Sequence, residues 1–158
     1  MNCRAYVGLG ANLGQDLLRT LTLAAQSLAV LPGTRLVCVS SAWRSAPVDA
    51  SGPDFLNAVA ALDTTLSPIE LLDALQAIEQ AHGRERPYRN APRTLDLDLL
   101  LHGQAVLDAP RLTLPHPRLA ERAFVLRPLL EIAPELAGMA LPGAWQAQHI
   151  ERLGPISP

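Results

Sequence analysis

Two aspartates one residue apart, Asp96 and Asp98, lie inside Thr94-Leu95-Asp96-Leu97-Asp98-Leu99-Leu100-Leu101, a run that alternates with a period of two. Such alternation predicts a strand, whose residues two apart project to one face with Cα atoms roughly 7 Å apart. The two carboxylates then share a patch, while Leu95, Leu97, Leu99 and Leu101 face the other way. Paired carboxylates repel unless cations neutralise them, and an all-oxygen donor set suits magnesium, which commonly joins protein carboxylates to substrate phosphates. Taken alone, Asp-Leu-Asp also reads as the polar face of a half-exposed strand. Its surroundings favour the metal, because eight of the 13 arginines (Arg84, Arg86, Arg89, Arg93, Arg111, Arg118, Arg122 and Arg127) crowd into the stretch around it. Arginines beside a metal-binding acidic pair are what a transferring phosphoryl group requires.

All 13 basic residues are arginine; the chain has no lysine. That excludes a Schiff base, a phosphate-loop lysine and a lysine general base, and leaves phosphate recognition to guanidinium forks or backbone amides. Gly8-Leu9-Gly10-Ala11-Asn12-Leu13-Gly14 has leucine where a GxGxxG fingerprint needs its last glycine, so it reads as a tight turn after a first strand, with the approach of its amides to a ligand left open. Cys3 and Cys38 are isolated, and His82, His102, His116 and His149 are scattered, which gives no zinc pattern. A formal charge of −2 gives no reason to expect nucleic acid or an anionic membrane as partner. No stretch approaches the roughly 20 apolar residues of a membrane span, and the first residues carry no targeting signal, so a reduced cytoplasmic protein is expected.

The elements that must position these groups follow from periodicity. Ala5 to Leu9 reads as a buried strand; Leu17, Leu21, Ala24, Leu28 and Leu31 have helical spacing that Pro32-Gly33 stops. Leu36 to Trp43 and Phe55 to Leu62 read as strands on either side of the breaker-rich loop Ala46 to Asp54. Ser67-Pro68-Ile69-Glu70 is a capping box with proline at the first helical position, opening a helix with Leu72, Leu75 and Ile78 on one face that ends near Gly83. The order is β-α-β-β-α-β, the split arrangement of an antiparallel sheet with helices on one face. The last third should add short helices, one of them near Arg127 to Ile132, and a hairpin across Gly103. At 158 residues a single domain spanning 1–158 is expected.

Pro92-Arg93-Thr94-Leu95-Asp96-Leu97-Asp98 resembles the signature of the hydroxymethyldihydropterin pyrophosphokinases. The resemblance extends in order through Gly8 to Gly14, Phe55-Leu56-Asn57-Ala58, Gly83-Arg84, Pro115-His116-Pro117-Arg118 and Glu121-Arg122-Ala123-Phe124. It implies a ferredoxin-like α/β fold with an added C-terminal segment, and transfer of a diphosphate from ATP to the hydroxyl of 6-hydroxymethyl-7,8-dihydropterin with release of AMP. It implies two Mg²⁺ ions on Asp96 and Asp98, and a catalytic role for Arg84 and Arg93 beside them. Gln76, Glu79, Arg111, Thr113, His116 and Arg122 fall at nucleotide positions. Phe55 and Phe124 fall at the two aromatic positions that sandwich the pterin and Asn57 at its polar edge, with Ser45 and Val48 nearby. A monomer acting on these two small molecules is expected, and the loops Ala46 to Asp54 and Arg84 to Pro92 should close over the site. From the residues alone, a metal-dependent phosphohydrolase and a non-catalytic ferredoxin-like binding module stay open as alternatives.

Overall fold

The computed structural model describes residues 2–12, 16–46, 53–82, 95–140 and 144–158. Among these, β1 (Cys3–Ala11) leads to α1 (Leu17–Ala29), then β2 (Thr34–Val39), β3 (Ala42–Ser45) and β4 (Phe55–Thr64). After α2 (Pro68–His82) come β5 (Asp96–His102), β6 (Leu107–Asp108), β7 (Thr113–Leu114), α3 (Ala123–Ile132) and β8 (Ile150–Gly154). Asp16 caps α1, its carboxylate accepting from the Arg19 N–H at 3.0 Å. The expected capping box opens α2: Ser67 N–H donates to Glu70 Oε1 at 2.8 Å and Glu70 N–H to Ser67 Oγ at 3.2 Å. Each device satisfies helix N–H groups that have no partner within the helix.

The main sheet is antiparallel in the order β5-β1-β4-β3-β8, with β2 also on β4. It carries the expected ferredoxin-like order, with three departures. The predicted strand from Leu36 to Trp43 divides into β2 and β3, because Ser40 and Ser41 form a buried polar knot. Ser40 Oγ donates to Ser41 O and accepts from Val59 N–H, while Ser41 gives both its N–H and its hydroxyl to Glu131 Oε2. No hairpin crosses Gly103, whose N–H instead donates to Arg4 O at 2.7 Å; β6 and β7 form the hairpin further on. Helices also cover both faces rather than one. Leu21, Leu28, Leu71, Leu75 and Ile78 of α1 and α2 pack with Val7, Leu9, Leu97 and Leu99, whereas Val125, Leu126 and Leu129 of α3 pack with Tyr6, Val59, Ala61 and Leu100 on the opposite face. Complete burial of Leu126 and Leu129 contributes about 1.5–3 kcal/mol each, enough to hold α3 against β4.

The pairing of β1 with β5 carries one irregularity. Tyr6 faces Leu101 but Val7 faces Leu99, so Leu100 is an extra residue, a β-bulge. It reverses the alternation: Leu97 and Leu99 point to α1 and α2 as expected, while Leu101 joins Leu100 and Tyr6 under α3.

Candidate active site

Cross-strand partners in an antiparallel sheet share a face. Gly10 of β1 pairs with both Asn57 of β4 and Asp96 of β5, and Gly8 pairs with Val59 and Asp98. Two glycines in the middle of a three-strand layer leave a hollow where side chains would stand. Gly8 and Gly10 are therefore not a turn, as their spacing suggested; they lie inside β1 and floor a cavity of about 230 Å³. Their period of two within an apolar run was the signal for this role, masked by the likeness to a phosphate loop. The cavity opens on the α3 face, beyond the end of the packed cluster there.

Ser45, Phe55, Asn57, Arg122 and Phe124 complete its walls, with Asp96 and Asp98 on the β5 side. Asn57 is only 4% exposed, and its Nδ2 donates to Ser45 Oγ at 2.8 Å and to Trp43 O at 3.4 Å. Those bonds fix the side chain and turn its Oδ1 towards Gly10, where an added Cβ would lie 3.6 Å from it. Ser45 is in turn paired with Phe55 across β3 and β4. From the other side, the Arg122 guanidinium carbon sits 5.3 Å from the centroid of the Phe124 ring, a cation–π contact at the start of α3.

β5 is an edge strand, and the residues expected at the nucleotide gather around it. Glu79 of α2 accepts from the Leu97 N–H at 2.8 Å, tying the strand down between the two aspartates. Arg111, in the β6–β7 hairpin, donates to Gln76 Oε1 at 3.2 Å and to Asp73 Oδ1 at 2.6 Å. Thr113 lies in β7, which packs on β5. His116 follows, its N–H donating to Leu100 O at 3.0 Å and its Nδ1 accepting from Arg118 N–H at 3.2 Å. Burial pushes the His116 pKa below its ordinary value; the nearby Asp98 opposes this, and Arg122 and Arg118 reinforce it. A neutral ring with Nδ1 as acceptor carries its proton on Nε2. Val48, Arg84 and Arg93 lie outside the described residues, as does most of the two expected closing loops.

The model of the 7,8-dihydro-6-hydroxymethylpterin-pyrophosphokinase family matches residues 6–134. The chain belongs to this family. It is 50% identical over 157 residues to the 2-amino-4-hydroxy-6-hydroxymethyldihydropteridine pyrophosphokinase of Pseudomonas aeruginosa, covering 95% of this chain and 96% of that one. The enzyme of the same name from Haemophilus influenzae is 45% identical over 133 residues, or 84% and 82% of the two chains. Wild-type HPPK-DHPS of Plasmodium falciparum is similar in structure, with a TM-score of 0.67 at 12% identity over 93% of this chain. That likeness speaks to the fold alone, and this chain spans about 40% of that longer one.

As a pyrophosphokinase of folate synthesis, the chain moves a diphosphate from ATP to the hydroxyl of 6-hydroxymethyl-7,8-dihydropterin and leaves AMP. The hydrolase and binding-module readings are not favoured. The cavity thus brings two phenylalanines and a fixed amide beside two carboxylates of the edge strand β5. No described helix is long and apolar enough to cross a membrane.

Proposed function

We propose that the glycine-floored cavity takes the pterin, stacked between Phe55 and Phe124, with Asn57 reading its polar edge and Ser45 and Val48 contributing to its binding. The observation that carries this reading is the convergence in one 230 Å³ cavity of Phe55, Asn57, Phe124, Asp96 and Asp98, drawn from three separate stretches of the chain. An aromatic pair gains from stacking a flat ring on both sides, and an amide whose Nδ2 is engaged by the protein presents its carbonyl oxygen to ring N–H donors.

Asp96 and Asp98 are proposed to hold two Mg²⁺ ions. Both residues are exposed, both line the cavity, and their register opposite glycines leaves space over the carboxylates. An all-oxygen pair with an open side fits ions that take their remaining ligands from water and phosphate. Bound there, magnesium supplies positive charge against the triphosphate. Arg122 and Arg111, with Arg84 and Arg93, neutralise the phosphates; Gln76, Glu79, Thr113 and His116 line the rest of the nucleotide site, His116 as a hydrogen-bond donor through Nε2.

In the transfer, the pterin hydroxyl oxygen bonds to the β-phosphorus, the bond from that phosphorus to the α–β bridging oxygen breaks with its electron pair leaving on AMP, and the hydroxyl proton passes to solvent. Positioning and charge neutralisation supply most of the acceleration in such a reaction. The chain is proposed to act as one domain, as a monomer and in the cytoplasm, on these two small molecules.

The test is to incubate the protein with ATP, Mg²⁺ and 6-hydroxymethyl-7,8-dihydropterin, omitting each in turn. One AMP per pterin diphosphate, formed only in the complete mixture, is the expected result. Free phosphate formed without pterin would overturn the assignment of the cavity.

A further inference from the structure

Arg122 joins the 3₁₀ turn Leu119–Glu121 to α3, in extended conformation at φ −114° and ψ 118°. It is the N-cap of α3, but its side chain makes no capping hydrogen bond. The first N–H of the helix therefore needs an acceptor from elsewhere. Gln148 supplies it from 26 residues further along the chain. Its Oε1 accepts from the Ala123 N–H at 2.9 Å, and its Nε2 donates to the Glu121 carbonyl at 3.1 Å. Those groups belong to the residues immediately before and after Arg122. One amide thus brackets Arg122 and restrains the backbone on both sides of it, which sets the direction of its Cα–Cβ bond.

Gln148 is itself held at both ends. Three residues before it, Trp145 is buried in the cluster under α3, with the Arg127 guanidinium carbon 5.0 Å from the centroid of its ring. Two residues after it, Ile150 pairs with Ser45, the residue that fixes Asn57. The C-terminal segment therefore touches both walls of the cavity, one through Ser45 and the other through the bracket on Arg122.

We propose that Gln148 is a positioning residue for diphosphate transfer: its side-chain amide aims Arg122 into the site and, through the Arg122–Phe124 contact, sets the ring on the α3 side of the cavity. This rests on the reading of Arg122 as a phosphate ligand and of Phe124 as one face of the pterin slot. Groups held by such supporting hydrogen bonds act at short range, and a displacement near 1 Å costs on the order of 100-fold in rate.

The experiment is a double-mutant cycle on the full chain with Gln148→Met, which keeps length and removes both hydrogen bonds, and Arg122→Ala, read as single-turnover kcat/KM for AMP formation with melting curves alongside. The expected result is a roughly 10- to 100-fold loss for Gln148→Met in the native background and no further loss in the Arg122→Ala background, because a residue that acts through Arg122 has nothing left to position. Native kcat/KM in Gln148→Met, or the same fold-loss in both backgrounds, overturns the proposal. Full activity in Arg122→Ala instead overturns the reading of Arg122 itself, a distinct outcome. Should Gln148→Met fail to fold, the cycle is run with Gln148→Glu, which keeps the acceptor for Ala123 N–H and replaces the donor to Glu121 with a charged oxygen that the carbonyl repels, with the same results deciding it.

Discussion

Gly10→Ala separates what the fold needs at the cavity floor from what the ligand needs. A Cβ built at Gly10 meets nothing closer than Asn57 Oδ1 at 3.6 Å and Leu56 O at 4.0 Å, both ordinary contacts, so the protein without ligand has no reason to move. Gly10 is also not among the glycines of positive φ, so alanine adopts its backbone conformation. Glycine within a strand costs about 0.5–1 kcal/mol relative to alanine. The variant should be at least as stable as the native chain, with a melting temperature higher by about 1–4 °C. The same methyl group occupies the floor on which the pterin is proposed to lie. Overpacking a fitted site by one methyl costs ~1–3 kcal/mol. At 1.4 kcal/mol per factor of ten, this is a rise of roughly 5- to 150-fold in the pterin dissociation constant. Calorimetric titration with pterin and a non-hydrolysable ATP analogue measures the second quantity, and thermal melting the first. Stability should rise while affinity falls. Pterin affinity within twofold of native would refute the placement of the ring over Gly10.

Asp98→Asn should lower kcat for AMP formation by ~10³-fold or more, since it removes charge from the proposed magnesium site; its melting temperature should hold, as the side chain stands exposed on the cavity edge, and an active variant would remove the metal assignment. Arg111→Ala should weaken ATP binding by roughly 10- to 100-fold through loss of a charge-assisted contact and leave pterin affinity alone. Its pairing with Asp73 is exposed on both sides, so under about 1 kcal/mol of stability goes with it; unchanged nucleotide affinity would count against its assignment. Glu131 offers a test by pH. Burial pushes its carboxyl pKa up, but donation from the Ser41 N–H, the Trp43 Nε1–H and the Ser41 hydroxyl, with Arg152 nearby, more than offsets this and holds it below the usual carboxylate value. A depressed folded-state pKa gives stability that is present above the unfolded value of about 4.3 and lost as pH falls through the folded value. Glu131→Gln should cost on the order of 1 kcal/mol in urea unfolding at pH 7, and progressively less as the pH falls below about 4.3; a cost that does not change with pH would exclude the ionised carboxylate as the cause.

Much of the site was legible because its residues carry local signals. Asp96 and Asp98 declare a shared face through strand alternation, and the structure has both lining the cavity. Ser67 and Glu70 declare the start of α2 by chemistry contained in four residues. The chain's two phenylalanines, Phe55 and Phe124, sit at family positions and meet in one cavity although they lie 69 positions apart. Gly8 and Gly10 mislead, because the same spacing serves a phosphate-binding turn and a strand with an open face; only their partners across the sheet tell the two apart.

What the sequence determined by itself was therefore whatever depends on near neighbours: periodicity, capping, the pairing of carboxylates and the absence of lysine. Tertiary structure decided whatever depends on register. The extra residue at Leu100 turns Leu101 under α3, the buried serines at 40 and 41 split one expected strand into two, and α3 closes a face that the β-α-β-β-α-β order leaves bare. Gln148 had no sequence signal at all, since its partners are two backbone groups on either side of Arg122. Backbone N–H and C=O groups are the same in every residue, so nothing in their side chains marks which of them a distant amide will find.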